Sequence, residues 1–163
     1  MRHIKKFTAL LLAAICTMMV LTGCVDKASL YDDTQQIAAG RTAYSATGYQ
    51  GSYVMGDGSF DFTASADKLV GAVEAFDIDV KNESTLVDCY TTVDTTNGEF
   101  KILFIHTDNK QIIAEYIDDA YSDLILPVGN YKVYLVGKDD AAFNVSISLY
   151  CFGAVSYTHL TLP

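Results

Sequence analysis

From residue 52 onward apolar side chains return at every second position, and no long stretch returns them every three or four. Alternation of period two places them on one face of an extended strand, so it points to β structure rather than helix. Phe60, Phe62 and Ala64 share a face in residues 59–65. Phe76, Ile78 and Val80 do so in residues 75–80, opposite Asp77 and Asp79. Val87, Cys89, Thr91 and Val93 fall together in residues 85–94. Residues 143–151 alternate most cleanly, with Phe143, Val145, Ile147, Leu149 and Cys151 inward and Asn144, Ser146, Ser148 and Tyr150 outward. Residues 99–107 differ: Phe100, Ile102 and Phe104 lie on one face, and Leu103 and Ile105 on the other. Apolar residues on both faces predict a central strand covered on both sides.

Turn signals such as Asp108-Asn109, Asp118-Asp119, Pro127-Val-Gly-Asn130 and Gly137-Lys-Asp-Asp140 separate these runs, about every 8–14 residues. Short half-polar strands at that spacing predict an all-β fold. The expected form is an antiparallel β-sandwich, jelly-roll or immunoglobulin-like, of two sheets with one wet face each. Residues 126–147, LPVGNYKVYLVGKDDAAFNVSI, are similar to the closing hairpin of many secreted sandwich modules, in which a Gly-x-Tyr strand precedes the last one. That likeness concerns fold and carries no function. The sandwich is assigned to residues 51–154.

The first residues have a different character. Arg2, Lys5 and Lys6 precede an uncharged apolar run over residues 7–21. That run is shorter than the roughly 20 residues a spanning helix needs, so residues 1–23 read as a signal peptide. It ends in Leu21-Thr22-Gly23-Cys24, which resembles the lipobox of bacterial lipoproteins. The resemblance implies cleavage before Cys24, lipid on its sulfur, and a cell-envelope location outside the cytoplasmic membrane. Residues 24–50 are polar and weakly patterned, and read as a tether. A short helix over residues 29–39, with Leu30, Thr34, Ile37 and Ala38 on one side, is the alternative. At the other end, residues 155–163 (VSYTHLTLP) resemble the conceptual translation of a sequencing adapter. They are expected to be non-native and to add nothing to the fold.

Charge excludes one class of partner. The chain carries −9, and all twenty acids follow residue 25. A surface this acidic is repelled by phosphate backbones and has no basic patch, so no nucleic-acid partner is expected. Of the four cysteines, Cys16 and Cys24 belong to the leader and its end. Cys89 and Cys151 remain on inward strand faces, where they either pair in an oxidising compartment or stay as buried thiols. No Cys-x-x-Cys or Cys/His cluster provides a zinc site, and no cofactor motif occurs.

The inventory for catalysis is thin. His106 is the one histidine between the leader and the tail, at the end of a strand and without a partner motif. Asp77 and Asp79 share a polar strand face, as a pair of glycosidase carboxylates would. Asp118, Asp119 and Asp123, with Asp139 and Asp140, are weak calcium candidates at one end of a sandwich, without EF-hand spacing. Tyr90, Tyr134 and Tyr150 fall on the polar faces of three strands and offer flat rings to a ligand. Three functions stay open: a lipid-anchored binding or accessory module for a polysaccharide or envelope protein, a small hydrolase using acids such as Asp77 and Asp79, and a purely structural envelope subunit. The first is favoured, with no enzymatic activity expected.

Overall fold

A computed structural model describes residues 25–81, 83–151 and 155–159. The leader and Cys24 lie outside the described residues. Two short helices, α1 (Ser29–Asp32) and α2 (Thr34–Ala38), precede eight strands. These are β1 (Tyr44–Thr47), β2 (Gln50–Gly56), β3 (Ser59–Val80), β4 (Thr85–His106), β5 (Gln111–Tyr116), β6 (Ala120–Leu126), β7 (Gly129–Cys151) and β8 (Val155–His159). All pairings are antiparallel and all strands belong to one sheet, which is not closed. The all-β expectation therefore holds at that level, while the expected two separate sheets are replaced by one.

The reason is the length of three strands. β3 and β4 have 22 residues each and β7 has 23. Each joins two runs that the sequence presents as separate strands. A straight strand of that length would extend about 70 Å, far beyond a domain whose radius of gyration is about 14 Å. The strands must bend, and they do so at one level. Register breaks between Ala66 and Gly71 in β3, and between Thr95 and Glu99 in β4, flank the Gly137–Ala141 stretch of β7. Bulges and glycine kinks are how sheets curve. A Cβ on Gly137 would stand 2.5 Å from the Leu69 carbonyl oxygen, so only glycine lets those backbones approach there. Gly98, Asp139 and Asp140 all have positive φ at the same level. The Gly137-Lys-Asp-Asp140 signal marks a bend within a strand rather than a turn between two.

Bending brings the two ends of the long strands face to face. Phe60 meets Phe76 with ring centroids 4.7 Å apart, and Phe62 meets Phe76 at 5.2 Å. Phe100 stacks on Phe143 at 4.1 Å. The main core is built from these inward residues, with Ile102, Phe104, Val133, Leu135, Ile147 and Leu149 fully or almost fully buried. One half of the sheet holds β2, the first part of β3, the last part of β7, the first part of β4, and β6. The other holds β1 and β8 beside the rest of β3, then the remaining parts of β7 and β4, then β5.

A second core lies on the outer face of the latter half. Leu30, Ile37 and Ala38 of the helices pack on Ala72, Leu103, Ile105, Tyr134 and Val136. Residues 99–106 are covered on both faces, which accounts for Leu103 and Ile105. Residues 29–38 thus pack on the domain instead of lying free in a tether. Lysines fasten them: Lys138 Nζ donates to Asp32 at 3.1 Å, and Lys101 Nζ lies 4.2 Å from the centre of the Tyr31 ring.

The last described segment also joins the sheet. β8 pairs with β3 from Val80↔Val155 to Phe76↔His159, and Tyr157 stacks on Phe60 at 4.6 Å. The expectation that residues 155–163 add nothing to the fold is not what these contacts give.

Candidate functional site

Among the described residues no helix lies on the outer face of the β2–β3–β7–β4–β6 half. Register fixes its rows. Gln50, Ser65, Asn144 and Asp94 form one, and Ser52, Thr63, Ser146 and Thr92 the next. Val54, Asp61, Ser148, Tyr90 and Tyr121 follow, then Ser59, Tyr150, Asp88 and Asp123. The first two rows line a shallow trough of about 450 Å³ whose outward side chains are hydroxyls and amides with the Asp94 carboxylate. Within it Ser52 and Thr63 share a 2.8 Å hydrogen bond between hydroxyls.

The trough ends at three tyrosines. Tyr90, Tyr121 and Tyr150 are 46%, 58% and 42% exposed. Tyr90 and Tyr121 lie 4.6 Å apart, centre to centre, and Tyr150 stands edge-on to Tyr90 at 5.7 Å and 90°. Asp88, Tyr90, Ser148 and Tyr150 bound a recess of about 400 Å³. Ser148 Oγ donates to Asp61 Oδ1 at 2.5 Å. A hydrogen bond to Asp123 drives the Tyr121 hydroxyl well above its ordinary pKa.

The electrostatics of this half are one-signed. No lysine or arginine occurs in β2, in residues 59–66 and 85–95, in β6, or in residues 141–151. Among the described residues no cation lies within ion-pair distance of Asp61, Asp88 or Asp123.

The sequence placed Tyr90, Tyr134 and Tyr150 on outer strand faces, and all three point outward, but Tyr134 is covered by the helices. Tyr134 is 6% exposed, belongs to the helix-covered half, and its hydroxyl lies 3.5 Å from Glu74 Oε2. It is not part of a wet tyrosine surface. Sequence reasoning did not single out Tyr121. The alternation Tyr121, Asp123, Ile125 was the available signal.

Asp77 sits in a different cluster. A register shift between Glu74 and Phe76 puts Glu74 on the same face as Asp77, a spacing that strict alternation hides. Lys132 Nζ donates to both Glu74 oxygens at 2.7 Å and lies 3.7 Å from Asp77 Oδ1. Burial raises Asp77 from 3.8 to about 6; the hydrogen bond and charge of Glu74 push the same way and Lys132 opposes them. Glu74, Lys132, Tyr134, Thr107 and Lys110 also line a recess of about 370 Å³ beside α2. Asp79 stands apart and pairs with Lys81 at 3.5 Å.

The remaining candidates are placed as follows. His106 is 8% exposed and packs edge-on against Tyr131 at 4.6 Å, and neither ring nitrogen has a hydrogen-bond partner among the described residues. No carboxylate orients it as a catalytic base would require. The calcium candidates scatter. Asp119 Oδ1 accepts the Val93 N–H at 2.7 Å, Asp140 pairs with Lys68 at 3.0 Å, and Asp123 lies beside Asp88. Among the described residues they form no metal-binding group.

Cys89 and Cys151 are free. Register makes them diagonal neighbours, since Val87 faces Cys151 and Cys89 faces Leu149. Diagonal Cα atoms lie roughly 7–8 Å apart, at or beyond the reach of a disulfide. The Cys151 thiol instead meets the Tyr157 hydroxyl, and burial pushes Cys89 up to about 11.

No known protein family matches the chain, and no curated protein does. Among solved structures it is similar to Peruvianin-I, a cysteine peptidase from Thevetia peruviana latex. Identity is 16% and the TM-score 0.36, over 73% of this chain and 74% of that one. That distant likeness concerns the mostly β domain and transfers no site.

Proposed function

We propose that this chain is a lipid-anchored extracytoplasmic binding module. Its lysine-free sheet face takes an extended polysaccharide. The observation that carries the reading is the uncovered outer face itself. A trough lined mainly by hydroxyl and amide groups leads, in register, to exposed tyrosine rings. Sugar polymers are bound by that combination, polar groups reading hydroxyls and a few aromatic faces supplying most of the affinity. The fold fits the role when the two halves are taken as layers of a sandwich, since the bent strands then present one broad face to solvent. Anchoring rests on the lipobox. Diacylated Cys24 would hold the domain at the membrane, each buried CH₂ contributing about 0.8 kcal/mol.

The test is affinity electrophoresis and pull-down on insoluble polysaccharides with the parent protein, Tyr90→Ala and Tyr150→Ala. Retention of the parent and its loss in both variants, with unchanged melting temperatures, is the expected result. Equal retention of all three proteins, or of none, would overturn it.

A second reading has one observation in its favour. Asp77 is raised to about 6 beside Glu74, which itself lines a recess, and a perturbed acid beside a cleft is a marker of catalysis. Turnover of a glycoside or ester that disappears in Asp77→Asn would establish the hydrolase and displace the binding module.

A further inference from the structure

We propose that the recess bounded by Asp88, Tyr90, Ser148 and Tyr150 is a binding site for a quaternary ammonium group. The inference deepens the binding reading above, and rests on it, by naming a substituent that the bound polymer carries. Four side chains occupy the corners of one cell of the sheet. Tyr90 faces Ser148 across the β4–β7 ladder and Asp88 faces Tyr150. The two rings therefore stand at opposite corners, perpendicular to one another, with centres 5.7 Å apart. Rings set this way meet edge to face rather than in a stack, and both stay more than two-fifths exposed at the recess. The negative face of an exposed ring attracts an organic cation, which is how quaternary ammonium ligands are recognised. Tyr121 backs Tyr90 from the neighbouring strand at 4.6 Å and extends the aromatic surface.

The charge around the cell favours the same ligand. Asp88 faces Tyr150 on one side and Asp123 on the other. Like charges directly opposite on a sheet are unfavourable, and a cation between or above them relieves this. Asp61 adds a third carboxylate behind Ser148. The described ion pairs all lie on other parts of the molecule, so none of these three carboxylates is neutralised by a lysine. A basic residue within this half would quench the field, and none occurs in its strands.

The cell also discriminates between ammonium types. A primary ammonium has three N–H donors that need acceptors when withdrawn from water. The Asp88 carboxylate, Ser148 Oγ and the two tyrosine hydroxyls can accept at the edges of the cell, but the ring faces offer no acceptor to a third N–H turned towards them. A methylated ammonium has no donors to satisfy, spreads its charge over its methyl groups, and loses less on desolvation. Its methyls make van der Waals contact with the rings.

The protein has no tryptophan but eleven tyrosines, so assigned ring NMR signals of Tyr90 and Tyr150, rather than bulk fluorescence, report on the site. The experiment titrates the purified protein with choline, with its neutral isostere 3,3-dimethylbutan-1-ol, and with n-butylamine. Choline is expected to shift the signals of Tyr90 and Tyr150 saturably, the neutral isostere not to, and n-butylamine to bind more weakly. Tyr90→Leu and Tyr150→Leu should each weaken choline binding roughly tenfold, while Tyr90→Phe retains it, since the ring face and not the hydroxyl is used. Asp88→Asn should weaken it roughly fivefold and reduce its sensitivity to salt. The absence of choline binding, equal binding of the neutral isostere, or tighter binding of n-butylamine would each overturn the assignment. The polysaccharide pull-down fails independently. Retention on neutral polymers without choline binding removes this inference and leaves the binding module standing. Choline binding with no polymer retained does the reverse.

Discussion

Strands β3, β4 and β7 each run through both halves of the sheet, yet the halves have opposite surfaces. On one, the outer face is roofed by α1 and α2 over Leu103, Ile105 and Val136, and its lysines are matched to acids: Lys132 with Glu74, Lys101 with Glu115, Lys138 with Asp32. On the other, the outer face is bare, without lysine, and bears tyrosines among carboxylates. The same strands and the same inner core serve both, so the contrast comes only from outward-facing residues. Those of the roofed half are apolar or paired, and ordinary packing explains them. Those of the bare half stabilise the fold less: the Tyr90–Tyr121 contact contributes one modest cross-strand pair, and Asp61 and Asp123, though each meets a hydroxyl, have no cation partner among the described residues. Residues that the fold does not need are where a binding function is best sought.

The largest effect expected on this contrast comes from the core that the halves share. Phe76 is fully buried between Phe60 and Phe62. Phe76→Ala should cost about 3–5 kcal/mol, a fall in Tm of roughly 10–20 °C. Unfolding should remain a single transition by calorimetry, because the long strands tie the halves together. Two separated transitions would mean that the halves are independent units.

Removing the roof comes next. Ile37 of α2 is 1% exposed, on the side that packs on the sheet. Ile37→Ala should cost about 2–4 kcal/mol while leaving ligand retention on the bare face unchanged. A simultaneous loss of retention would show that the two outer faces are coupled. Deletion of residues 155–163 should be milder. It removes the β8 ladder and the stacking of Tyr157 on Phe60, worth about 1–2 kcal/mol together and a few degrees in Tm. An unchanged Tm would return residues 155–163 to the adapter reading, as a segment the domain does without.

The inner faces were legible in the sequence and the outer architecture much less so. Phe60, Phe62, Phe76, Phe100, Phe104, Phe143 and Ile147 all point into the core as alternation requires. Alternation is local and survives bending, which is why it identified the strands but not their fusion. Asp139 and Asp140 have the composition of a hairpin turn, and only the partner strands, Leu69 on one side and Glu99 on the other, show that the chain bends there and continues. Long-range register had the same effect on the site. Tyr90 and Tyr150 were found singly, but that they share a cell with Asp88 and Ser148 follows from the β4–β7 ladder, which no local pattern encodes. Tyr134 was misread because its outward position is roofed by Ile37 and Ala38, residues assigned to a tether.

The smallest effect concerns the roofed half alone and tests whether its paired charges are as structural as they look. Asp77 has a native pKa of about 6 against an ordinary value of 3.8. The folded protein therefore binds more protons than the unfolded chain between those values. Where the native state holds the extra proton, stability falls as pH rises. Any contribution from protonated Asp77 is full below about pH 4 and lost as pH climbs through about 6. Asp77→Asn keeps the shape of the side chain but cannot ionise. It should match the parent near pH 4 and exceed it in Tm by a degree or two at pH 7.5, a modest gain because the carboxyl is more than a third exposed and solvent screens it. The paired melts at the two pH values check this. A variant less stable than the parent at pH 7.5 would mean that ionised Asp77 is held favourably by Lys132. The acid would then belong to an ion-pair network of the roofed face instead of carrying a raised pKa.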